Sequence, residues 1–233
     1  LAEHILSKLD AAHRALYSRH DRNAARAALA GIAPGDLDHP DDLCDLGDLW
    51  WKLKDDDRAA GAYARAVAID DRCADGHFGL GLVAEARGDR DRMIGHWLRT
   101  LELDAAAPPP PVHVSEEAFH AIADRAYAEL PPRALELLEN VAVLIAWLPD
   151  RHIVEDGFDP RLLGLITGGD LSRDERTQWS PVGPDVIQLF QRNIERGVRD
   201  HAELAHEIRV TVLHETAHFF GLDDDQLHDI GLA

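Results

Sequence analysis

"TVLHETAHFFGLDDDQL", Thr211 to Leu227, sets two histidines four residues apart around a glutamate and follows them with a glycine and three successive aspartates. In a helix, residues four apart lie about 40° from each other around the axis, so His214 and His218 project from one face, one turn apart. Two imidazoles placed in this way can grip one Zn2+ ion. Glu215 falls about 100° further round, beside the pair, where its carboxylate suits a general base acting on water. Zinc supplies the matching half of that chemistry by lowering the pKa of water towards ~7. The helix expected to carry the motif is "DHAELAHEIRVTVLHETAHFF", with Leu204, Ile208 and Val212 as its apolar side and Gly221 as its stop.

A catalytic zinc takes three protein ligands and keeps one position open, so a third ligand is needed. None of the fifteen residues given after His218 is a glutamate, so a glutamate ligand from a later helix is not expected. The other common arrangement turns at a glycine three beyond the second histidine and places a ligand three beyond that glycine. Gly221 and Asp224 hold those positions, making Asp224 the expected third ligand. Asp223 and Asp225 flank it and can exchange roles with it, and His228 is a further donor one turn on. The same aspartate run also suits the start of a terminal helix, "DDQLHDIG". His201 and His206, five apart, share no face and read as surface residues, while Phe219 and Phe220 read as core anchors. Gly168 and Gly169 lack the spacing of a phosphate loop, and no serine or cysteine stands in a nucleophile setting.

The totals bound what surrounds this motif. With 233 residues, 45% of them apolar, the chain can bury the core of one or two domains. Its net charge of -19 repels phosphate backbones and anionic bilayers, which argues against nucleic acid and membrane partners. No stretch approaches twenty apolar residues, and "LAEHILSKLD" reads as an amphipathic helix rather than an export signal. Cys44 and Cys73, 29 residues apart, are too few and too separated for a disulfide framework or a sulfur zinc cage, so a cytoplasmic location is expected.

"AAAPPPP", Ala105 to Pro111, cannot continue a helix and marks a seam between residues 1–106 and 112–233. Most of the acidity follows the seam: residues 1–110 sum to -6 and residues 111–233 to -13. Before it, "LGDLWWKLKDDDRAAGAYARAVAID" matches "LGLVAEARGDRDRMIGHWLRTLELD" at an offset of 34, pairing Leu46 with Leu80, Gly47 with Gly81, Tyr63 with Trp97 and Asp70 with Asp104. That period and those residues resemble the tetratricopeptide repeat, a stacked helix hairpin, over roughly residues 40–104. The second copy departs from the pattern at Ala84, Met93 and Thr100, where the first has Trp50, Ala59 and Ala66. Residues 4–31 carry the spacing of one further helix pair. Such an array implies either a groove for a protein partner or a plain helical cap.

After the seam, "VSEEAFHAIADRAYAEL" reads as a helix capped by Ser115, ended by Pro131 and Pro132. "NVAVLIAWLP" and "DVIQLF" read as short strands, the first of them bordering the cleft and having a buried helix as its alternative, and "GLITGGDLSRDERTQWSPVGP" between them reads as a long loop. This half is similar to the small bacterial zincin-like metallopeptidases with a His-Glu-x-x-His-x-x-Gly-x-x-Asp signature. The likeness is carried by "VSEEAFHAIADRAYAELPPRALELLENVAV", "LLGLITG", "IQLFQRNIE" and "IRVTVLHETAHFFGLDDDQLHDIG". It implies a minimal zincin fold, with His214, His218 and Asp224 as zinc ligands and Glu215 as base. Two departures stand out: the one methionine, Met93, lies in the repeat half, and no tyrosine follows the motif.

The expected fold class is therefore α+β, an all-α array of helical hairpins followed by a small sheet packed on the active-site helix. The expected function is Zn2+-dependent hydrolysis of a peptide or protein substrate. The alternative is a catalytically silent helical-repeat adaptor with a structural or vestigial zinc site. An open fourth coordination position separates the two.

Overall fold

The computed structural model describes residues 2–130, 132–138, 141–167 and 186–219, which form an α+β fold of two compact units. One unit contains the described residues up to Ala107 together with Asp150–Pro160. The other contains Pro108–Pro149 and the described residues from Arg161 onward.

The first unit is helical. Helices α1 (Ala2–His13) and α2 (Arg22–Leu29) pack as a pair, α1 running on through a π-helical turn over Arg14–Ser18. Two hairpins follow, α3 (Pro40–Lys52) with α4 (Asp56–Ile69), and α5 (Ala74–Ala86) with α6 (Arg90–Ala106). They repeat each other in detail. Lys54 and Gly88, 34 apart, both turn the chain with positive φ, 61° and 70°. The next N–H reaches back in the same way, Asp55 N–H to Trp50 O at 3.0 Å and Asp89 N–H to Ala84 O at 2.9 Å. Asp55 and Asp89 then cap α4 and α6 by accepting the N–H of Arg58 and Arg92, each at 3.2 Å. A methyl group on Gly47 would overlap the Tyr63 ring, and one on Gly81 would overlap Trp97, so the paired glycines admit paired aromatics.

The departures within the second copy compensate in volume. Large Trp50 and small Ala59 are buried in the first hairpin's core, where the second has small Ala84 and large Met93. Thr100, buried where the first copy has Ala66, satisfies its hydroxyl by donating to His96 O at 3.1 Å. A short helix α9 (Arg151–Glu155) completes this unit, its Val154 joining Ala84, Met93 and Trp97 in one cluster. Arg90 fixes it by donating to Glu155 O (3.1 Å) and Asp156 O (2.9 Å). Cys44 and Cys73, distant in sequence, are brought to 3.4 Å by the fold of the first hairpin, both as free thiols.

The second unit holds α7 (Glu116–Ala128), capped by Ser115 Oγ on Ala118 N–H at 3.2 Å, and α8 (Pro132–Leu137). Its sheet has the order β1-β3-β2, with β1 (Ala142–Ala146) parallel to β3 (Val186–Phe190) and β2 (Gly164–Thr167) antiparallel to it. β2 lies within the turn-rich stretch expected to be a loop. Four residues are too few to show a strand's alternation, and the pairing with β3 that makes them one is invisible in the sequence. Helix α10 (Gln191–Arg196) follows β3, and α11 (His201–Phe219) packs on α7, β2 and β3. Leu204, Ile208 and Val212 on α11 are wholly buried with Phe119, Leu138, Ile187 and Leu189, each side chain contributing roughly 1.5–3 kcal/mol. No helix among the described residues is long and apolar enough to cross a membrane.

Candidate active site

Helix α11 starts firmly. Asp200 accepts the N–H groups of Ala202 and Glu203, both at 2.9 Å, and the row Leu204, Ile208, Val212 fixes the rotation of the helix on the sheet. That rotation turns Glu215, one turn beyond Val212, into the sheet side, where it is 7% exposed. A Cβ on Gly164 of β2 would sit 2.9 Å from both Cγ and Oε1 of Glu215, so the carboxylate lies against bare strand backbone. The strand beside Glu215 is thus β2, and not the "NVAVLIAWLP" segment expected to border the cleft. It is also an edge: β3 pairs with one side of it and no described strand pairs with the other.

The entry to β2 is held from α10. Asn193 Nδ2 donates to Leu162 O at 2.9 Å, and Phe190 N–H donates to Leu163 O at 2.9 Å. Around Asn193, the "QRNIE" stretch is a buried polar clamp. Glu195, fully buried, pairs with His113 Nδ1 at 2.8 Å and accepts Val114 N–H at 3.1 Å and Gln191 Nε2 at 2.8 Å. Arg192 donates to Pro108 O at 2.9 Å and lies over the Trp147 ring. These polar groups offer no periodicity to a sequence reader, because each finds its partner far along the chain.

His214 is half-buried on α11. The helix is continuous from His201 to Phe219, so its backbone sets His218 on the same face one turn on. The side chain of His218 and the whole of Gly221, Asp223, Asp224, Asp225 and His228 lie outside the described residues, as do Gly168, Gly169, Phe220 and the Phe219 side chain. Among the described residues no three metal-binding side chains converge. The donor types fit zinc: two histidine positions a turn apart on a helix anchored at its start, the described one, His214, half-buried. His201 and His206 are exposed, as their spacing predicts. Met93 is buried in the helical unit's second cluster.

No curated protein matches the chain. Residues 138–232, which span β1 to the end of the motif helix and beyond, match the model of a family described as zincin-like metallopeptidase.

Proposed function

We propose that the second unit is a zinc-dependent metallopeptidase-like hydrolase in which His214, His218 and Asp224 hold the metal and Glu215 is the general base. The observation that carries this reading is the placement of Glu215, a buried carboxylate on the motif helix lying against the glycine of an edge strand. When bound, Zn2+ supplies Lewis acidity, making water a nucleophile near neutral pH and polarising a carbonyl. Glu215 Oε1 accepts a proton from the attacking water and returns it to the leaving amine nitrogen, so that water adds across the C–N bond. Gly164 leaves that oxygen room, and burial keeps the carboxylate in a fixed orientation. The edge of β2 that no described strand pairs supports an extended substrate running beside it through main-chain hydrogen bonds. In this reading residues 1–106, with the segment 150–160 that packs on them, are a tetratricopeptide-like array that receives a partner or substrate segment, and the remainder of 112–233 is the hydrolase.

Metal analysis and a peptide-library cleavage assay on Glu215→Gln test the assignment. The expected outcome is one zinc per chain, as in the parent, with turnover lowered by a factor of about 10²–10⁴. Unchanged turnover removes Glu215 from the chemistry. A fully coordinated, inert zinc in the parent protein points to a structural site instead.

A further inference from the structure

Cys44 and Cys73 are the two cysteines of the chain, and both are buried, at 5% and 8% exposure. Cys44 lies in α3 and Cys73 caps the N-terminus of α5, where its sulfur accepts Gly76 N–H at 3.4 Å. The two Sγ atoms are 3.4 Å apart. Either sulfur can donate across the pair, but Cys73 alone of the two also accepts a backbone N–H, at the start of α5. Gly76 keeps the space open, because a Cβ there would sit 3.3 Å from Cys73 Sγ and 2.9 Å from Val67 Cγ2.

The two sulfurs are unequal. The hydrogen bond from Cys44, then that from Gly76 N–H, lowers the Cys73 thiol to about 7 against burial and the charges of Asp75 and Asp41. The same bond to Cys73, followed by burial and nearby acids, pushes the Cys44 thiol up. The helix-start N–H and the neighbouring thiol both favour the thiolate at Cys73 over Cys44, which makes Cys73 the better nucleophile of the two.

We propose that Cys44 and Cys73 form a reversible dithiol–disulfide pair oxidised by hydrogen peroxide, with Cys73 as the attacking sulfur and Cys44 as the resolving one. The Cys73 thiolate attacks one peroxide oxygen and the O–O bond breaks. The departing hydroxide takes a proton and leaves as water, giving a sulfenic acid on Cys73. Cys44 sulfur then attacks Cys73 sulfur; the S–S bond forms, the S–O bond breaks, and the leaving hydroxide carries off the Cys44 proton as water. Two thiols lose two electrons in total, and one peroxide becomes two waters. Burial favours a small oxidant: with Cys73 8% exposed as a residue, a molecule barely larger than water has easier access than a bulky disulfide. Closure needs the sulfurs to move from 3.4 Å to about 2.05 Å, and ties α3 to the start of α5.

The test treats the native full-length chain with hydrogen peroxide and reads intact mass and free thiols after denaturation. Expected are a monomer lighter by two hydrogens, loss of both thiols, recovery with dithiothreitol, and a reaction rate that rises with pH through about 7. The oxidised chain melts higher by on the order of 5–10 °C. In Cys44→Ser, dimedone captures a sulfenic acid on Cys73; in Cys73→Ser, Cys44 stays unmodified. Two thiols still titrating after excess peroxide, or over-oxidised Cys73 without a bridge in the unsubstituted chain, overturn the pair. Capture of the sulfenic acid on Cys44 overturns the assignment of roles.

Discussion

In helices α1 to α6 the contacts that start and pair the elements lie close by along the chain: Asp21, Asp55 and Asp89 each cap the helix that begins at the next residue, and Gly47 and Tyr63 meet across one hairpin, whereas the later α9 is fixed from a distance by Arg90. In the sheet unit the contacts reach far. Glu195 meets His113 across 82 positions and Gln191 reaches Val114 across 77. The first unit is a sum of short instructions, while the second is specified only once distant segments have met. A lost contact is therefore expected to act locally in the one and to disconnect several segments in the other.

The largest expected effect tests the long-range side. Glu195→Ala strips the buried partner from His113, Val114 N–H and Gln191 together, and is expected to cost about 3–5 kcal/mol of the sheet unit's stability in urea unfolding. Glu195→Gln, which can still accept from Val114 N–H, should cost less. A loss under 1 kcal/mol for the alanine variant breaks the contrast.

Next come the paired glycines. Gly47→Ala and Gly81→Ala drive a methyl group into Tyr63 and Trp97, and each is expected to cost about 1–3 kcal/mol in thermal or denaturant unfolding. The Asp55→Ala and Asp89→Ala cap variants should cost about 1 kcal/mol each and add in the double variant. Strong coupling between the two caps would mean the hairpins are less independent than their repeated hydrogen bonds imply.

The smallest effect concerns the start of α11. Arg199, hydrogen-bonded to Glu203, holds that exposed carboxyl down at about 2, helped by Arg199 N–H. A depressed carboxylate contributes stability above its unfolded pKa and loses it as pH falls from about 4.3 to about 2. Protection factors of the Ala202–Ala205 amides, taken relative to intrinsic exchange at each pH, should fall over that window in the parent, and the change should shrink in Arg199→Ala.

How much of this was legible follows the same division. The 34-residue offset is the spacing of the helix starts, Pro40 to Ala74 and Asp56 to Arg90, and it was readable because the glycine–aromatic pairs are local signals. Ser115, the row Leu204, Ile208, Val212, and the strands β1 and β3 were readable for the same reason. β2 was not, since its identity rests on pairing with β3. Nor was the contact of Gly164 with Glu215, the part of the site most dependent on tertiary structure, although the histidine spacing located the helix that carries it. The meeting of Cys44 with Cys73 escaped for the opposite reason: counted in residues they are remote, and only the hairpin between them brings them together.

Helix α9 has a practical corollary. Because Val154 fills the cluster around Trp97 and Arg90 is anchored on Glu155 and Asp156, a fragment cut at the proline run would expose that tryptophan and leave Arg90 with carbonyls to seek in water. The backbone passes between the units at three places, after Ala107, Pro149 and Pro160, so neither half can be exchanged for a foreign one by a single splice. A chimaera that respects this molecule has to carry residues 150–160 along with the helices they cover.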